Sequence, residues 1–198
     1  YAARNSTLKV SGYDVYEHAG KDRERSNRVK AKLQDAGLKE DAYLWLSNRD
    51  PLPFEDCSID AVVSLQTIEH VEDIDELFAE VHRLLVPGGM ALHYFPTAEI
   101  FVDPHSGVPL AHRYPGMRKR LLSTFSRLGI GKFRRYAKEA DYSLDAFVEE
   151  FDDYLSKMCF FRRLGDYLDL SKKHGFETWL APPRPLPRIM MLTKLAAR

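Results

Sequence analysis

Apolar positions fall into short strand-length runs separated by helical spacing, and this order breaks once. Thr7 to Asp14 predicts a short strand ending on an acid, followed by Val29, Leu33 and Ala36 at helical spacing with Gly37 as stop signal. Ala42 to Leu46 predicts a second strand, with Ser47-Asn48-Arg49-Asp50 as its exit loop. Ile59 to Ser64 is largely apolar, the pattern of a parallel strand covered on both faces. Ile74, Leu77, Phe78, Val81, Leu84 and Leu85 then form one helical stripe, with Asp73 as cap and Glu76 as its capping-box partner. Pro87-Gly88-Gly89 predicts the helix end, and Met90 to Phe95 a fourth strand.

After Pro96 the alternation stops, and residues 97–165 form one long excursion. It opens with a loop rich in Pro, Gly and His, then turns basic from Arg113 to Lys138. An acidic block from Glu139 to Asp153 follows. Leu144, Phe147, Val148, Phe151, Leu155 and Met158 give that block a single apolar face and mark a helix. The matched charges predict pairing between the basic stretch and the acidic helix. Alternation resumes with a helix through Leu168 to Leu170, a Gly175-Phe176 turn, a strand near Glu177 to Leu180, a Pro-rich link and a last strand, Arg188 to Lys194. The expected fold is α/β with a mostly parallel sheet. A C-terminal antiparallel hairpin lies at the sheet edge, and a helical insertion follows the fourth strand. One domain is expected over residues 1–198.

Composition narrows the function classes. The 198 residues carry 29 Lys and Arg against 29 Asp and Glu, so no global field draws the chain to nucleic acid or an anionic membrane. No apolar run approaches the roughly 18 residues of a spanning helix. Cys57 and Cys159 form no motif, which suits a reduced, cytoplasmic protein. The first residue is Tyr1 rather than Met, so a segment upstream is expected.

Leu52-Pro53-Phe54, Ser58-Ile59-Asp60, Glu69-His70-Val71, Glu80, Arg83-Leu84-Leu85 and Pro87-Gly88-Gly89 together resemble a class I S-adenosylmethionine-dependent methyltransferase. The resemblance covers roughly residues 7–96 and 166–195 and implies a Rossmann-like fold with S-adenosyl-L-methionine as cofactor. Leu92 to Pro96, followed by Asp103-Pro104-His105 and Val108-Pro109-Leu110, resembles one branch of these enzymes. The family's glycine-rich loop after its first strand has no counterpart here. The resemblance thus implies either an N-terminal truncation or an altered cofactor site. An open slot in the sheet would suit a homodimer.

The resemblance implies that Asp14 meets the ribose hydroxyls, for which a carboxylate is suited by accepting from both. It implies that Asn48 or Asp50 meets the adenine amino group; turn chemistry explains either as well. Ser64 and Gln66 leave a strand at its carboxyl end, where ligands bind in open α/β sheets. Gln66 offers donor and acceptor together. His70 and His105 are the catalytic candidates, as neutral imidazoles able to take a proton, though His70 equally suits a packing role. Asp103, His112 and Arg113 are expected to line the acceptor pocket. Glu69, His70 and His105 lack confirming ligand spacing, so no metal is expected.

The implied reaction is methyl transfer to a small-molecule, glycan-linked or lipid-linked acceptor, with residues 97–165 as the substrate cap. The rival is a non-catalytic partner subunit on the same fold. A nucleotide-binding oxidoreductase is disfavoured because no Gly-x-Gly-x-x-Gly is present.

Overall fold

Strand pairing in this computed structural model follows the apolar runs. The structure describes residues 9–15, 31–32, 34–35, 37, 43–46, 52–140, 142–181 and 189–195. Two compact units divide the chain, Tyr1–Pro53 and Phe54–Arg198.

In the first unit, β1 (Gly12–Val15) pairs in parallel with β2 (Tyr43–Leu46). Between them Ala31, Lys32, Gln34 and Asp35 are helical, and Gly37 ends that turn at φ 70° with its N–H on the Gln34 carbonyl. A positive φ is where glycine costs least.

The second unit holds a four-stranded sheet in the order β3-β4-β6-β5: β3 (Ile59–Leu65), β4 (Leu85–Phe95), β6 (Ile189–Leu195) and β5 (Phe176–Ala181). β3 runs parallel to β4, and the terminal hairpin adds antiparallel through β6. The predicted hairpin at the edge is present, with its second strand docked inside. Among the described residues β3 is the opposite edge, and Val63 and Leu65 on it are exposed.

α1 (Ile74–Leu84) crosses between β3 and β4 and buries Ile74, Phe78, Val81 and Leu84. Asp73 caps it by accepting from Glu76 N–H at 3.0 Å, a contact worth about 1 kcal/mol. Its last turn carries Arg83, whose guanidinium holds Glu80, the Phe54 carbonyl and Asp56 together. The Pro-Gly-Gly element differs from expectation. The extended chain begins at Leu85, paired with Ile59, and Pro87-Gly88-Gly89 forms an irregularity inside β4 rather than a turn before it. Gly88 has φ 81°, and a Cβ on Gly89 would lie 2.9 Å from the Val86 carbonyl oxygen. Ile59 to Ala61 spans two steps on β3 while Leu85 to Met90 spans five on β4, so three extra residues are absorbed in an irregularity that tolerates Pro and favours Gly.

Two apolar cores form. One packs Ile68, Phe78, Leu85, Phe95, Tyr167 and Met191 between the sheet, α1 and α5 (Leu164–Lys173). The other lies within the excursion. Val108, Leu122, Phe147, Phe151 and Leu155 join its loop, α2 (Arg118–Arg127), α3 (Phe133–Ala140) and α4 (Leu144–Lys157). Ser143 caps α4 by accepting from Ala146 N–H at 3.1 Å. Part of the predicted charge pairing is present: Lys119 meets Glu149 at 2.6 Å, and the buried Arg118 lies 3.5 Å from Asp152. No helix among the described residues is long and apolar enough to cross a membrane.

Candidate active site

The loops after β3 and β4 meet the segment that leaves α4. After β3 the chain makes a short 3-10 turn, Ile68–His70. The Phe160 N–H donates to the Glu69 carbonyl at 2.7 Å, and Arg162 donates to the Val71 carbonyl at 2.9 Å. On the other loop, Ala98 N–H donates to the Arg162 carbonyl at 2.8 Å. Residues 158–163 thus strap both strand-end loops to the insertion.

Within this strap His70, His105 and Cys159 converge. His70 Nδ1 lies 2.5 Å from the Met158 carbonyl and 3.8 Å from Cys159 Sγ; His105 Nδ1 lies 3.9 Å from the same sulfur. The two imidazoles stand edge to face at 5.1 Å, with the Tyr154 ring beside both. Cys159 is buried, and burial pushes its thiol well above the ordinary range.

Asp103 is fully buried and organises its loop. It accepts from Ser106 N–H at 2.7 Å, from the Ser106 hydroxyl at 2.5 Å, and from His105 N–H and Nδ1, each at 3.2 Å. Burial alone would raise its pKa, but these donors outweigh it and hold the carboxyl below its ordinary value. His112 is buried against Phe161 at 4.8 Å, and burial lowers its pKa. The Arg113 guanidinium donates to the Ala98 carbonyl at 2.8 Å from an exposed position. A cleft of about 370 Å³ is lined by His112, Arg118, Leu155, Ser156, Cys159, Phe160 and Phe161. A larger depression of about 610 Å³, beside Glu72 to Asp75 and Arg162, holds none of the candidate site residues read from the sequence.

The structure therefore joins His70, His105, Asp103 and His112 around one strap, with Arg113 on its outer face. Ser64 lies on β3 with Oγ 2.7 Å from His93 Nδ1. Gln66 is exposed at the carboxyl end of β3 in a left-handed conformation, φ 53°, its N–H on the Tyr94 carbonyl at 2.7 Å. A strained non-glycine residue at a strand end is a recurrent feature of ligand sites. Asp14 lies on β1, but its side chain falls outside the described residues, as do Asn48 and Asp50 entirely. Sequence reasoning missed Cys159, Tyr154 and Arg162. The available signal was weak: the last turn of the acidic helix and the short link after it, Met158-Cys159-Phe160-Phe161-Arg162-Arg163.

The strand order, with the last strand inserted beside β4, is now joined by a family match. Residues 3–93 match the methyltransferase domain family. That match, over just under half of the chain, supports a class I S-adenosylmethionine-dependent methyltransferase domain. Among curated proteins, it is 28% identical over 124 residues to 24-methylenesterol C-methyltransferase 2 of Arabidopsis thaliana, covering 59% of this chain and 33% of that protein. It is 35% identical over 63 residues to the biotin biosynthesis bifunctional protein BioHC of Teredinibacter turnerae, covering 32% of this chain and 11% of that protein. The chain thus spans a third or less of the length of these relatives. An S-adenosylmethionine-dependent methyltransferase structure from Mesorhizobium loti shares its fold, with a TM-score of 0.54 at 16% identity over 98% of this chain and 95% of the other.

Proposed function

We propose that this methyltransferase chain transfers a methyl group from S-adenosylmethionine to a small-molecule, glycan-linked or lipid-linked acceptor. The observation that carries the reading is the family match over residues 3–93. The sterol named for the Arabidopsis relative supports an acceptor of lipid character.

Gln66, strained and exposed at the carboxyl end of β3, suits a polar ligand there, and Ser64 lies two positions before it. Asp14 would accept from the ribose hydroxyls and Asn48 or Asp50 from the adenine amino group. The cofactor supplies an already activated methyl group, so this chain's task is alignment and proton removal. For an oxygen nucleophile, His105 is the proton acceptor: with Nδ1–H donated to Asp103, its Nε2 carries the lone pair. His70 is the alternative, held by the Met158 carbonyl in the same manner. Asp103 orients His105, while His112 and Arg113 border the acceptor side. Residues 97–165 would act as the cap that recognises the acceptor.

Calorimetric titration of the chain with S-adenosylmethionine tests this reading. One binding event per chain is expected. An absence of heat at high protein concentration contradicts it and favours a non-catalytic partner on the same fold.

A further inference from the structure

Beyond methyl transfer, and without depending on it, we propose that His70, His105 and Cys159 form a binding site for a borderline transition-metal ion of the Zn²⁺ class. One ligand atom from each residue lies within 4.8 Å of the others. A tetrahedral ion with bonds of about 2.3 Å to sulfur and about 2.0 Å to nitrogen needs ligand-to-ligand edges of roughly 3.5 Å. The separations from Cys159 Sγ to His70 Nδ1 and His105 Nδ1, 3.8 and 3.9 Å, exceed that by only a few tenths of an ångström, which makes Nδ1 the ligand atom of each ring.

The donor chemistry fits as well as the spacing. Two imidazoles and a thiolate are a borderline-soft set that suits zinc over magnesium or calcium. In the metal-free chain each Nδ1 faces an acceptor, the Met158 carbonyl for His70 and the Asp103 carboxylate for His105, and an ion would displace these two hydrogen bonds. Metal binding through Nδ1 needs the Nε2–H tautomer of each ring, so a metal-loaded chain does not use these imidazoles as proton acceptors. Three protein ligands leave a fourth position, and Cys159 also lines the 370 Å³ cleft, so a water or an acceptor oxygen has access to it. On binding, one metal–sulfur and two metal–nitrogen bonds form, and the Cys159 thiol proton passes to solvent.

The ligands come from three places: the turn after β3, the loop after β4 and the exit of α4. An ion there would tie the insertion to the strand ends.

Titration of the metal-free chain with Co²⁺, followed by absorption, tests the site without any methyl donor. The expected result is a sulfur-to-cobalt charge-transfer band that saturates at one equivalent and is displaced by Zn²⁺. Cys159→Ser abolishes the band and Cys57→Ser leaves it unchanged. His70→Gln, which keeps the sulfur, weakens Co²⁺ affinity at least about tenfold and covers the case in which Cys159→Ser fails to fold. The proposal is overturned by no band in the unsubstituted chain, a band that survives Cys159→Ser, a band lost in Cys57→Ser, or unchanged affinity in His70→Gln.

Discussion

Ser64 on β3 and His93 on β4 are direct partners in the parallel ladder, and their side chains share a hydrogen bond of 2.7 Å. His93 is 2% exposed, and burial lowers its pKa to about 4 from an ordinary 6.5. The folded state therefore keeps this imidazole neutral at pH values where an unfolded chain protonates it.

That difference makes stability pH-dependent with a fixed sign. Between pH 6.5 and 4 the unfolded state binds more protons, so the His93 contribution is complete above 6.5 and fades as pH falls toward 4. From pH 7 to pH 5 the loss is roughly 2 kcal/mol. Denaturant unfolding of the chain and of His93→Gln at both values checks it. The variant should lose less stability across the interval, and equal losses would show that His93 is not the source.

Asp103 supports its loop in the charged form. In Asp103→Asn, one carboxylate oxygen becomes an amide nitrogen that cannot accept, so donors from His105 or Ser106 lose their partner. The expected cost is about 2 kcal/mol at neutral pH, because these are charge-assisted bonds in a buried site. Since the folded pKa lies below the ordinary value, the Asp103 contribution is present above the usual carboxylate range and is lost as pH falls through the folded value. The Asn variant should lack that acid-side decline in unfolding experiments.

The insertion has its own core, which gives a separable response. Phe147 is fully buried there, with ring contacts to Phe133, Tyr136 and Phe151. Phe147→Ala should cost about 3–5 kcal/mol of local stability through the cavity it leaves. Hydrogen exchange should show amides of α2 and α4 losing protection while those of β4 keep most of theirs. Equal loss in both would mean that the two cores unfold together.

Much of the fold was legible in the chain. The stripe from Ile74 to Leu84, the Asp73 cap with Glu76 and the apolar face of α4 are local patterns, and local patterns survive folding. The place of β6 was not legible, because register and neighbour choice depend on partners more than 90 residues away. The Pro-Gly-Gly segment reads as a turn in the chain, and only pairing of Leu85 with Ile59 reveals an irregularity within β4. At the site, Asp103 and His105 share one short loop and could be read together. Cys159 could not be tied to His70, because 89 residues separate them and only the strap over the loop ends brings them into contact.

The central claim is a cofactor site at the carboxyl end of β3, and hydrogen exchange with and without S-adenosylhomocysteine tests it most directly. The expected result is added protection in the segment from Ser64 to Val71, with Gln66 at its centre. Unchanged exchange throughout that segment at saturating ligand would contradict the claim.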